Sequence, residues 1–292
     1  MGRRGSRRSR PAVAGAVLLL ASGGSASATD RSQYSLARPT PDHLLREMTT
    51  DRPDITEVPF TIDPGRVQIE ASVFNYARFR DPGGAVSHTY DVMATNVRIG
   101  FTHNFEAGFV WQPYGRVRIR QSGVPTLLHS GIGGLELRSK YNLWGNDTFD
   151  KPGATALAIL PFVVLPTDDD NGISPAFAEV GFNVPFAIQL SPKLSLGING
   201  GMTWARDDAG SGYQPQYTAS ASFGYDWTDV WGSYVELSGR FNTEDPRGDP
   251  VSFGAGITYA VTKNLQLDAG VNVGLTSSAD RINPFVGFSA RF

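Results

Sequence analysis

From Gly65 to the last residue, apolar side chains recur at every second position, not every 3.6, and turn residues interrupt the runs at regular intervals. Val67, Ile69, Ala71 and Val73 alternate with Gln68, Glu70, Ser72 and Phe74. Leu265, Leu267, Ala269, Val271, Val273 and Leu275 alternate with Gln266, Asp268, Gly270, Asn272, Gly274 and Thr276. Strands of this kind carry one apolar and one polar face. About twelve fit the chain, at 66–79, 89–101, 105–120, 132–143, 154–165, 176–190, 194–205, 215–227, 231–242, 251–261, 265–276 and 284–292. Most have roughly the 9–11 residues that cross a bilayer at a tilt.

The connections sort into two alternating kinds. Tight turns fall at 102–104, 191–193, 228–230 and 262–264, and longer polar segments at 81–88, 121–130, 167–174, 207–214, 242–249 and 277–283. The turn at 145–153 is long for its class but belongs with the short ones if both termini do. A soluble β-sandwich also alternates, but its loop lengths need not sort by end. The expectation is all-β: a transmembrane antiparallel up-and-down β-barrel over 65–292, with the long loops outside the cell. Trp111, Trp144, Trp204, Trp227 and Trp231 fall near turns, as an interfacial girdle requires. Phe288 and the terminal Phe292 suit a C-terminal signal for the barrel-assembly machinery.

The N-terminus reads as a signal peptide over 1–28: five arginines, a short apolar run from Ala12 to Ala21, then Ala26-Ser27-Ala28 before the cleavage point. Residues 29–64 form a periplasmic or plug segment, with one or two helical turns over 42–48 capped by Asp42, and strand near Val58–Ile62. The chain has no cysteine, which removes disulfides, thiol nucleophiles and zinc-thiolate sites, and a formal charge of −2 gives no sign of nucleic-acid binding.

If alternation holds along every strand, the polar face lines the lumen. Arg98, Arg116, Arg118, Arg120, Arg138 and Lys140 then form a basic wall. Glu179, Asp226, Glu236 and Asp268 form an acidic one, and Glu70, Glu136 and Arg240 interrupt the separation. Such walls set a transverse field on a passing solute, or else pair into a structural ladder. Phe74, Tyr76 and Phe285 are among the few inward rings. Asp168-Asp169-Asp170-Asn171-Gly172 suits calcium in part, but a solvated loop explains it better, and no metal or cofactor is expected. For a membrane hydrolase, only His88 or His129 with Ser87 or Ser130 comes into question, with no third orienting group, so no enzyme is expected.

Several stretches resemble a family of outer-membrane transporters named after the meta-cleavage pathway of phenol degradation. They are Thr50-Asp51-Arg52-Pro53-Asp54, Pro64-Gly65-Arg66-Val67-Gln68-Ile69-Glu70, Gly131-Ile132-Gly133-Gly134-Leu135, Lys140-Tyr141-Asn142-Leu143, and Leu160-Pro161-Phe162-Val163-Val164-Leu165-Pro166-Thr167. Gly134 stands where an acidic residue is usual, and Asp168 where glycine is. The resemblance implies an outer-membrane channel or transporter for small solutes, including aromatic or other hydrophobic ones. The residues themselves leave a closed structural or binding barrel open as the alternative. Expected partners are outer-membrane lipid and lipopolysaccharide, the assembly machinery and a small solute, around a monomeric barrel.

Overall fold

A computed structural model describes residues 30–168, 172–206, 212–242 and 248–292. The signal-peptide segment lies outside the described residues, as do Asp169, Asp170 and Asn171 and the centres of the 207–214 and 242–249 loops. Strand segments follow in chain order: β1 (Val67–Arg80), β2 (Val86–Thr102), β3 (Phe105–Trp111), β4 (Tyr114–Arg120), β5 (Leu127–Gly131), β6 (Leu135–Trp144) and β7 (Thr155–Leu165). Then come β8 (Glu179–Ser191), β9 (Leu194–Arg206), β10 (Tyr213–Asp226), β11 (Trp231–Asn242), β12 (Val251–Thr262), β13 (Leu265–Gly274) and β14 (Asn283–Arg291).

All pairings are antiparallel, and β1 pairs with both β2 and β14, so the sheet closes on itself. β3 and β4 both lie along β2, and β5 and β6 lie along β4 and β3, so each couple is one interrupted stave. The result is a closed barrel of twelve staves. Closure leaves no unpaired edge, the condition for a sheet in hydrocarbon. The fourth stave starts at Leu127, inside the stretch expected to be loop. Short turns gather at one end, where both barrel termini meet: Phe292 N donates to Val67 O at 2.8 Å.

The wall is apolar outside and polar inside. Leu137, Tyr141, Phe223, Val235, Leu237, Ile257 and Leu267 are exposed on the outer face, while Gln68, Ser222, Gln266 and Ser289 are buried on the inner. Aromatic rings cluster at the short-turn end, where Trp231 packs on Tyr259 with centroids 4.6 Å apart and Tyr225 on Trp227 at 5.2 Å.

One row breaks the alternation across four neighbouring staves. It comprises Val73 on β1, Met93 on β2, Pro113 between β3 and β4, and Gly133 between β5 and β6. Met93 takes φ 59°, and Pro113 has no N–H to give to the ladder. Each stave therefore skips one extended residue and swaps faces. Below the row Ser72 faces inward, where it accepts from Arg52; above it the inward residue is Asn75, bonded to Asp91 and Asn283. Gly115 also faces inward, beside Asp91 and Gln112. Arg116, Arg118 and Arg120, opposite Tyr90, His88 and Val86, consequently lie on the outer face. Their expected place in the lumen is thus corrected, as are those of Phe74 and Tyr76. Phe285 does face inward, under the Arg52 guanidinium.

The helix expected over 42–48 is only a 3-10 turn, Asp42–Leu44, preceded by Pro41 without a side-chain cap. Asp42 instead pairs with Arg66 at 2.6 Å. Residues 58–62 carry no strand, because their N–H and C=O groups bond to side chains of the barrel wall.

Candidate functional site

Residues 30–46 sit across the short-turn mouth. Arg31 and Arg46 both reach Asp147 in the β6–β7 turn, at 2.7 and 2.9 Å, and Arg46 also donates to His103 O at 2.7 Å. Burial alone would raise Asp147, but its bonds to Arg46 and Arg31 hold it below the usual carboxylate range. From residue 47 the chain rises into the lumen, and it returns to the mouth by Asp63. Gly65, at φ 74°, then turns it into β1; a Cβ there would lie 2.7 Å from the Pro39 ring.

Inside, the segment is tied to the wall by charge. Arg98 on β2 is 1 % exposed and lies within 2.9 Å of Glu70, 2.8 Å of Glu106 and 3.3 Å of Asp51. Its guanidinium also donates to Phe60 O at 2.8 Å. Lys140, on the stave across β3, meets Asp51 at 2.7 Å and Glu106 at 3.7 Å. Burial would raise the Asp51 carboxyl, but Arg98 and then Lys140 outweigh it and hold the group at about 2. Arg138 bridges Glu57 at 2.9 Å to its wall neighbour Glu136.

Higher along the segment, Arg52 meets Asp268 at 2.7 Å and Ser72 at 3.0 Å. The wall beside this guanidinium is Gly287, whose missing Cβ would collide with Arg52 Nη2. Glu236 accepts from the backbone N–H groups of Ile55 at 3.0 Å and Thr56 at 2.6 Å. Asp54 is buried with neither carboxylate oxygen hydrogen-bonded. Burial, then Glu236 nearby, push its carboxyl well above the ordinary value. Phe60 packs edge-on against Phe149 at 5.1 Å, so an apolar contact closes the return limb.

Above Ile55 the lumen opens into a cavity of about 430 Å³. Its lining is mostly amide and hydroxyl: Asn183, Asn199, Thr218, Ser220, Asn272 and Asn283 among others, with Arg240 the cation. Residues 278–280 and Pro250 rim it at the long-loop end, so it is a vestibule floored by the segment.

The structure brings Glu70, Arg98 and Lys140 into one cluster, and Glu136 with Arg138 into a second. Glu236 and Asp268 each hold part of the segment, Glu179 lies near Arg240, and Asp226 is buried at the foot of β10. The segregated walls do not form. The arginine triplet is outside, and Arg98, Arg138 and Lys140 are matched by carboxylates of the wall and of the segment. Asp51, Arg52, Asp54 and Glu57 were missed as site residues, although the first three sit in the Thr50–Asp54 stretch that carried the family resemblance. Of the pairings considered for a hydrolase, none is assembled: strand neighbours point to opposite faces, β4 separates Ser87 and His88 from His129 and Ser130, and His88 Nδ1 lies 2.8 Å from Tyr76 OH.

Residues 50–292 match the family described as "Putative MetA-pathway of phenol degradation". The chain belongs to this family. Among solved structures, the COG4313 outer membrane channel from Pseudomonas putida F1 is similar at 14% identity and a TM-score of 0.61, covering 83% of this chain and 100% of that one. The transport unit of the autotransporter AIDA-I from Escherichia coli is similar at 12% identity and a TM-score of 0.50, covering 78% and 90%. Both likenesses speak for the barrel fold. No curated protein sequence matches the chain.

Proposed function

We propose that this family member is an outer-membrane channel for small solutes, entered through the vestibule and gated by residues 47–62 acting as a plug. The observation that carries this reading is the seated segment itself. It blocks a lumen that already has a polar antechamber, yet salt bridges and hydrogen bonds hold it, not covalent bonds or a continuous apolar core. Such contacts break and re-form without unfolding the barrel. A family described by phenol degradation, and a channel among its structural relatives, support a small cargo class that includes aromatic compounds. The apolar outer wall and paired termini support insertion from the periplasmic side with the long loops outward.

The chain lacks cysteine, so a disulfide tests gating cleanly. Thr56 Oγ1 and Ser220 Oγ lie 2.8 Å apart, linking the segment to β10. The T56C/S220C double variant, folded into a planar bilayer, is expected to conduct little when oxidised and to gain current on reduction. Equal current in both states would remove the gating role. If deletion of residues 47–62 from a folded barrel also gave no current, the closed structural barrel would replace the channel.

A further inference from the structure

The face swap leaves an unexplained feature on the outer wall. Phe74, Val92 and Tyr114 stand side by side across β1, β2 and β4. One row further from the membrane centre come Tyr76, Tyr90 and Arg116; beyond them lie Arg78, His88 and Arg118, then Arg80 and Arg120 flanking Val86. Apolar, phenolic and cationic rows thus follow in the order in which a leaflet presents acyl chain, headgroup boundary and charge.

With strands roughly 4.8 Å apart and same-face residues about 7 Å apart along each, the five guanidinium groups share a patch some 10–15 Å across. None has an ion-pair partner among the described residues, and Asp81, next to Arg80 in the chain, is turned to the Gly83 N–H. Five unmatched cations next to an apolar wall call for anions fixed at that height. Arginine's forked donors fit phosphate oxygens.

We infer that this face binds the phosphates of an outer-leaflet glycolipid whose acyl chains pack on Phe74, Val92 and Tyr114. The inference rests on the orientation proposed above, with the long loops outward, and not on the gating that the bilayer currents test. The patch acts outside the barrel, so its loss leaves gating intact.

The test titrates detergent-folded wild-type protein with bis-phosphorylated lipid A, with its dephosphorylated form and with inorganic phosphate, read by native mass spectrometry. The comparison variants are R116Q/R118Q/R120Q and, at the short-turn end, K193Q/K263Q. All are first checked for heat-modifiable mobility, which reports a folded barrel. Lipid A should bind the wild type and the lysine variant alike. The triple variant should lose about fivefold per arginine, roughly a hundredfold in all. Undiminished binding by the folded triple variant, or equal binding of dephosphorylated lipid A, overturns the inference. Full competition by inorganic phosphate at the same affinity overturns it too, by reducing the patch to a free-anion site.

Discussion

Replacing Asp51 by asparagine removes one charge from the plug and little else, since the amide oxygen still accepts from Lys140 and from Val58 N. The carboxyl is held at about 2 against an ordinary 3.8. At about 1.4 kcal/mol per tenfold, that displacement makes the seated, charged state worth about 2.5 kcal/mol over a released one in water. The released population of D51N should therefore rise by roughly sixtyfold at neutral pH. The sign follows from the depressed value. This share of the seating energy is fully present above 3.8 and disappears as pH falls through about 2, so wild-type openings should grow more frequent in that acid window. In D51N that component is already gone. Single-channel recording of opening frequency between pH 7 and pH 2 gives both readouts, and the intact staves keep the barrel folded. D51N with wild-type opening frequency at pH 7, in protein shown to be folded, would refute the assignment of Asp51 as an anchor.

Asp54 behaves oppositely. Burial and Glu236 raise its carboxyl, so its contribution is present at low pH and lost as pH rises through the raised value; conductance should climb toward alkaline pH in the wild type and flatten in D54N. In the vestibule, R240E should move the reversal potential under a salt gradient toward cations, and an unchanged value would place Arg240 off the solute path. At the inverted row, M93G relieves the roughly 1–2 kcal/mol that an L-residue pays at φ 59° and should stabilise the barrel, whereas M93V puts a β-branched residue there and should destabilise it. Urea titration of heat-modifiable mobility ranks the two, and equal midpoints would show that the backbone relaxes.

Most of the wall was legible in the sequence, since alternation dictates both strand and face wherever extended residues follow without interruption. Twelve staves and the sorting of turns by end follow from that alone. The misplacement of Arg116, Arg118 and Arg120 has a local cause. Pro113 was readable as a defect in its own strand, but the faces swap because Val73, Met93 and Gly133 fall in the same row, a register relation no single strand reveals. The plug was harder still. Residues 47–62 have no periodicity, because many of their backbone bonds go to side chains elsewhere in the chain, some as distant as Glu236 and Asn142. Only the density of charge in the Thr50–Asp54 stretch hinted at partners. Burial of Arg98 and Lys140 then shows why the inward charges could not form opposed walls: buried cations need carboxylates within reach.

On the gating reading proposed above, the segment's covalent tether decides how it opens. Its C-terminal limb runs through Gly65 into β1, and its N-terminal limb is clamped at the mouth by Arg46 to Asp147. Breaking the mid-lumen pairs at Asp51, Arg52 and Glu57 therefore does not expel the segment. Its ends stay close, and the released stretch remains at high effective concentration near its sites. On that reading reseating is fast, and the open state would be a shift of the inner loop, not an exit into the periplasm. The buried pairs confer less net stability than their short distances imply, because desolvation offsets much of the Coulomb gain. Severing one partner is nevertheless costly, since it strands a charge. That asymmetry makes the plug easy to displace as a unit, with water replacing every pair together. It also makes the plug sensitive to single substitutions that leave a buried charge without a partner, as loss of Arg52 would leave Asp268.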